Sequence, residues 1–240
     1  MRLMTDHGGF RYRLPVLALA LAAMIASAGP AAAERTPAMF ETGESKQQFP
    51  SLLVFPDIAG NVSIMLHCAS QIEPSGKMKD TFCVIRNNGE VVFGAAVQKA
   101  AKKARLTPAS IDGKGQKVYL QFRIEFIKEG DSKTIHIYSN TGDAENVEAY
   151  GNDHVAAQRV IGKEPWMNVC PGRAQFGITA RAHVSVEGVA SNVSLHHGYG
   201  IVPTGTCQQS IIRTIESSAF TPAMSGNEPV PSAFVEPFGN

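Results

Sequence analysis

Two stretches of this chain end a helical pattern in the same way, 114 residues apart: Leu106-Thr107-Pro108-Ala109 and Phe220-Thr221-Pro222-Ala223. Upstream, Gly76 follows an alternating run, as Gly188 follows the run from Ile178 to Val186, an offset of 112. Downstream, Phe122 and Phe126 match Phe234 and Phe238 at the same offset of 112. An offset that drifts by two residues is what small loop insertions produce, so the pattern reads as an internal duplication. A duplicated chain must fold twice into one plan, and each plan must fit within half the sequence.

Each copy reads as strand, tight turn, strand, helix, strand. In the first copy, Ile64–Ile72 alternates, with Ile64, Leu66, Cys68 and Ile72 on one face. Glu73-Pro74-Ser75-Gly76 is a turn signal, and a second strand runs Met78–Arg86. The helix spans about Val92–Ala104, with Phe93, Ala96, Val97, Ala100 and Ala104 on its apolar stripe. It stops before Pro108. The last strand, Lys117–Phe126, sets Val118, Leu120, Phe122, Ile124 and Phe126 against Tyr119, Gln121, Arg123 and Glu125. In the second copy, Thr206 is the expected N-cap and Ile211, Ile215 and Ala219 form the stripe. Cys207 falls at the offset position of Phe93. Pro229, Pro231 and Pro237 confine the last strand to a sheet edge or partial pairing. The predicted class is α+β: two tandem small two-layer domains, 52–128 and 165–240, each a roughly three-stranded antiparallel sheet with one helix packed on it. Residues 34–51 read as a disordered tail and 129–164 as a linker; His196–Thr206 reads as a mobile loop.

Residues 1–33 have the form of a secretory signal peptide. Arg2, Arg11 and Arg13 precede the apolar run Leu14–Ala28, and Ala31-Ala32-Ala33 supplies small residues for cleavage. A run of 15 residues is shorter than the ~20 that a membrane span needs. The expected product is a soluble, exported protein located in the periplasm. Over the whole chain, 22 Lys and Arg face 21 Asp and Glu, so composition offers no basic excess for nucleic-acid binding. Locally the charge is uneven. Residues 52–128 carry 11 basic against 6 acidic residues, and residues 129–164 carry 3 against 7. The two segments could attract each other, or the basic one could steer toward an acidic partner.

Four cysteines lie in the exported part, where an oxidising compartment favours disulfides. Folding the hairpin about the Ser75–Gly76 midpoint places Cys68 opposite Cys83, within disulfide reach. A register error of one residue would put them on opposite faces. Cys170 is then left to pair with Cys207.

The order in the first copy continues through Asn87-Asn88-Gly89, Phe93-Gly94-Ala95-Ala96, Pro108-Ala109, Asp112-Gly113 and Phe122-Arg123-Ile124-Glu125-Phe126. This succession resembles the C-terminal domain of TonB energy transducers, closely over about 52–128 and more loosely over about 165–238. The resemblance implies a periplasmic protein-binding module that adds a strand to a short segment of an outer-membrane transporter. A full TonB also has a membrane helix and a long Pro-rich spacer, and this chain departs from it in both. Motor function is therefore not expected, and an accessory role in TonB-dependent transport is.

An edge of unpaired N–H and C=O groups is what a partner strand would satisfy. The long, proline-free strand with Lys117, Tyr119, Gln121, Arg123 and Glu125 is the expected docking edge for a protein or peptide partner. A second reading closes these edges with the duplicate domain or with a homodimer. No cofactor and no metal is expected, because no zinc or phosphate-loop spacing occurs. His67 and His183 read as sheet histidines, Trp166 as an anchor at the start of the second domain. His196-His197 is the one feature behind a weaker third reading as a hydrolase. The chain is accordingly expected not to be an enzyme.

Overall fold

The computed structural model describes residues 33–40, 48–162 and 176–239. Cys170, Trp166 and all of the expected leader except Ala33 lie outside them. Among the described residues no helix is long and apolar enough to cross a membrane. The fold is α+β, with antiparallel sheets and few helices.

In chain order the elements are β1 (Arg35–Thr36), α1 (Phe49–Leu52), β2 (Val62–Ile72), β3 (Met78–Cys83), α2 (Val91–Ala101), β4 (Ser110–Ile111), β5 (Lys114–Gly115) and β6 (Val118–Glu129). They continue with β7 (Ser132–Tyr138), α3 (Ala144–Tyr150), β8 (Gln158–Val160), β9 (Phe176–Val184), β10 (Ala190–Gly200) and α4 (Gly205–Ser217). Last come β11 (Phe220–Thr221), β12 (Ala223–Ser225), β13 (Glu228–Val230) and β14 (Ser232–Gly239).

The duplication is visible in the topology. The first copy orders its strands β3-β2-β6 and the second β10-β9-β14, each with the hairpin's second strand outermost and a helix between second and last strand. Local details repeat as well. Gly76 (φ 78°) and Gly188 (φ 71°) each close a turn, donating to Glu73 O at 2.8 Å and to Ser185 O at 2.9 Å. Their carbonyls accept from Leu106 N at 2.9 Å and from Phe220 N at 3.2 Å, each in the segment that follows its copy's helix. Asp80 (φ 50°) and Asn192 (φ 54°), again 112 apart, sit in a bulge of β3 and of β10. Both are short polar residues that tolerate left-handed backbone.

That bulge explains why Cys68 does face Cys83. Next to the turn the pairing is centred on Ser75, with Ile72 opposite Met78 and Gln71 opposite Lys79. The extra residue on β3 shifts the pairing by one, so Ala69 meets Phe82 and Cys68 meets Cys83. Ser70 holds the bulge, its hydroxyl 3.0 Å from Lys79 O and 2.8 Å from Thr81 Oγ1. The Cys68–Cys83 disulfide is formed, with Cα atoms 4.0 Å apart. In the second copy the equivalent pair is Ala180 opposite Leu195. Cys207 is disulfide-bonded and buried, as its place on the stripe requires; its expected partner Cys170 lies outside the described residues.

Each copy has its own core. Phe93, Val97, Ala100 and Ala101 of α2 pack with Leu66, Ile72, Phe122 and Phe126. Ile211 and Ile215 of α4 pack with Ile178, Ala180, Phe234 and Phe238. The N-cap of α4 is Thr204 rather than Thr206, its hydroxyl accepting from Cys207 N.

Three expectations are corrected. The segment 129–164 is no linker: it supplies β7, α3 and β8, and β7 and β8 extend the first sheet. Of its acidic residues, Asp143 caps α3, and Asp143 and Glu145 both pair with Arg181 of β9, while Ile135 and Ile137 pack on the first core. The described parts of the 34–51 tail are ordered. β1 pairs with β4, Ala38 and Phe49 are buried, and the rings of Phe40 and Phe49 stand against Phe122. The expected loop from His196 is shorter, since His196–Gly200 belong to β10.

Candidate functional site

The expected docking strand, β6, lies inside its sheet. On one side it pairs with β2 from Val118 to Lys128; on the other it pairs with β8 at Val118 and Tyr119 and with β7 from Arg123 to Glu129. Both neighbours come from the segment read as a linker, which is why alternation alone made β6 look like an edge. Its outward face is also occupied. Lys117 lies 3.6 Å from Glu73. Tyr119 is buried opposite Arg159, and burial pushes its hydroxyl pKa well above the usual value. Gln121 donates its side-chain amide to Val235 O of the second copy. Arg123 donates to Asn140 Oδ1 at 2.9 Å and stacks over Tyr138, and Glu125 accepts from the Tyr138 hydroxyl at 3.1 Å. β6 is therefore no edge strand: Gln121 and Tyr119 lie at a seam with the second copy, while Lys117, Arg123 and Glu125 are paired with residues of the first sheet and of the 129–164 segment.

At the centre of the seam, Arg159 of β8 makes two bonds to Glu236 of β14, at 2.7 and 2.6 Å, with both side chains buried. Burial raises the pKa of the Glu236 carboxyl, and Arg159 opposes that rise. Neither residue was singled out from the sequence. The usable signal was Glu236 at the offset position of Ile124, a charge where the first copy has core. A cleft of about 320 Å³ opens beside the seam, lined by His67, Gln121, Thr141, Asp143 and Thr179 among others. Burial, then Arg86 and Arg123, lower the pKa of His67.

The edge of β14 is blunted from inside the molecule. Asn146 of α3 reads the Ala233 backbone twice, accepting from its N–H at 2.9 Å and donating to its carbonyl at 2.7 Å. Tyr150 donates to Pro231 O at 2.6 Å, and Pro237 has no donor to offer. Gln158 treats Ala38 in the same two-handed way, at 2.8 and 2.7 Å. These amides imitate a neighbouring strand.

Among the described residues, β3, β7 and β10 each pair on one side only. β10 is the longest of the three at 11 residues, and Ser191, Asn192, Ser194, His196 and His197 on it are exposed. His183 on β9 is exposed too, whereas His67 is half-buried. Among the described residues no group of three or more His, Cys, Asp or Glu could hold a metal ion. No family model, characterised protein or solved structure matches this chain.

Proposed function

We propose that this chain is an exported, non-enzymatic binding protein that captures an extended segment of a partner by strand addition, in the manner implied by its resemblance to TonB C-terminal domains. The capturing strands are β3 and β10, and the setting is an accessory role in TonB-dependent transport in the periplasm. One observation carries this reading. The duplicated plan leaves the hairpin's second strand outermost in both copies, while the last strand is closed each time, by β7 and β8 in the first copy and by side-chain amides in the second. An edge row of free N–H and C=O groups supplies affinity without demanding one sequence. The length and exposure of β10 also favour a second reading, in which two copies of the chain pair along it as a homodimer.

A photo-crosslinking residue placed at Thr81 on β3, or at Ser194 on β10, tests this in exporting cells. Adducts to another protein are expected, and a Ser194→Pro change should abolish those formed from β10. Adducts only to a second copy would favour the homodimer, and no adduct from either position would remove the proposal.

A further inference from the structure

The two copies share a plan but not a surface. In the first, a groove of about 420 Å³ runs between the edge of β3 and the outward side of α2, lined by Lys77, Lys79, Asp80, Thr81, Gln98 and Lys102. Lys99, Lys103 and Arg105 stand nearby on the same helix and its exit, and Arg105 pairs by a bridge with Lys77. Lys79 lies 3.6 Å from Glu73; among the described residues Lys77, Lys102 and Lys103 make no ion pair. In the second copy the corresponding positions hold Val189 for Lys77, Ser191 for Lys79 and Glu216 for Lys102. The fold therefore does not require the lysines, because the duplicate builds the same hairpin and helix without them.

The other end of the groove changes character. Val84 and Ile85, just past β3, and Val91 and Val92, at the start of α2, are exposed large apolar side chains, and Ile85 stands against Gly94 in the first turn of α2. A row of cations leading into an apolar patch, beside an unpaired strand edge, matches an elongated ligand of opposite charge. The concave shape suits a chain segment better than a flat anionic membrane.

We propose that the β3–α2 groove holds an extended acidic peptide segment, its carboxylates toward Lys77, Lys79 and Lys102 and its apolar side chains toward Val84, Ile85, Val91 and Val92. This rests on the strand-capture reading and adds the partner's chemistry and the copy that selects it. Coulomb attraction across a partly desolvated groove would set the choice of partner, and backbone pairing along β3 would hold it.

The test titrates the full exported chain, disulfides intact, with a synthetic peptide alternating glutamate and valine. Its lysine counterpart, an uncharged threonine–valine peptide and vesicles containing anionic phosphatidylglycerol are titrated beside it. The glutamate peptide is expected to bind, to slow amide exchange at Lys79, Asp80 and Thr81, and to lose about tenfold or more in affinity in K77Q/K79Q/K102Q. Arg213→Gln, at the α4 position equivalent to Lys99, should leave binding unchanged. All these side chains are exposed, so thermal melts of the variants should match the parent and confirm that folding is intact. Failure of the glutamate peptide to bind, equal binding by the triple variant, or protection of the same amides by vesicles alone would overturn the inference. If the uncharged peptide slows exchange along β10 while the glutamate peptide leaves β3 untouched, the inference falls and strand capture stands. If no peptide slows exchange at either edge, both fall.

Discussion

Gly76 and Gly188 do the same job 112 residues apart, and neither can be replaced cheaply. Both have positive φ, and a Cβ at either position would run into the backbone carbonyl of Leu106 or of Phe220. Backbone cannot swing aside as a flexible side chain can, so Gly76→Ala and Gly188→Ala should each destabilise by about 2–4 kcal/mol. Gly60→Ala, where φ is 72° but the space is open, should cost only ~1 kcal/mol. Equal losses at all three sites in chemical denaturation would show that the close approach carries no weight. His67 gives a second residue-level expectation. Its imidazole is held below 6.5 by burial and by Arg86 and Arg123, so the folded chain resists a proton that the unfolded chain accepts. The stability this confers is complete above about pH 6.5 and is lost as pH falls through the lower folded value. His67→Gln should flatten that part of the profile. Denaturant midpoints of parent and variant at about pH 7.5 and about pH 5 measure the difference.

Among the elements, the β2–β3 hairpin shows how a correct pairing can follow from a turn centre that is off by half a residue. The turn is centred on Ser75, and only the bulge at Asp80 brings Cys83 round to Cys68. Reduction of the disulfides should cost about 2–5 kcal/mol, the usual loss for a native bridge in a small secreted domain. Urea melts with and without reductant, compared with a Cys68→Ala/Cys83→Ala variant, would isolate this bridge from the one at Cys207. An unchanged midpoint in that variant would mean the bulge and Ser70 alone fix the register. Gly94, Ala100 and Ala101 of α2 are buried against the sheet, and an added Cβ at Gly94 would press on Ile85 at 2.8 Å.

For the molecule as a whole, polar contacts join the second copy to the rest of the chain: Arg159 to Glu236, Gln121 to Val235 and Asp143 to Arg181. The buried Arg159–Glu236 pair is the centre of that seam. Removing one partner strands a charge out of reach of water, so Arg159→Met or Glu236→Ile alone should cost on the order of 3–5 kcal/mol. Changing both together should come out near neutral, because apolar groups of similar volume avoid the desolvation cost. Ile is also what the first copy carries at this place, Ile124. A double-mutant cycle by denaturant unfolding measures the coupling. A double variant as unstable as either single variant would mean that the pair holds the two sheets in place by geometry as well as by charge.

Periodicity and turn chemistry were sufficient for the duplication, the hairpins, both helices and the Cys68–Cys83 bridge, since all of these rest on contacts between residues close in the chain or on one face of one element. The neighbours of β6 were not legible. Whether a strand lies inside a sheet or at its edge depends on which distant segments pair with it; β2 takes one side of β6, and the other is taken by a stretch whose polar composition suggested a connector. The seam was hidden for the same reason. Gln121, Asn146 and Arg159 look like ordinary surface residues until packing brings Val235, Ala233 and Glu236 within hydrogen-bond range. Short-range sterics and side-chain period fixed the two units; long-range pairing, which costs chain entropy and is repaid only in the folded whole, settled which edges they close and which they leave open.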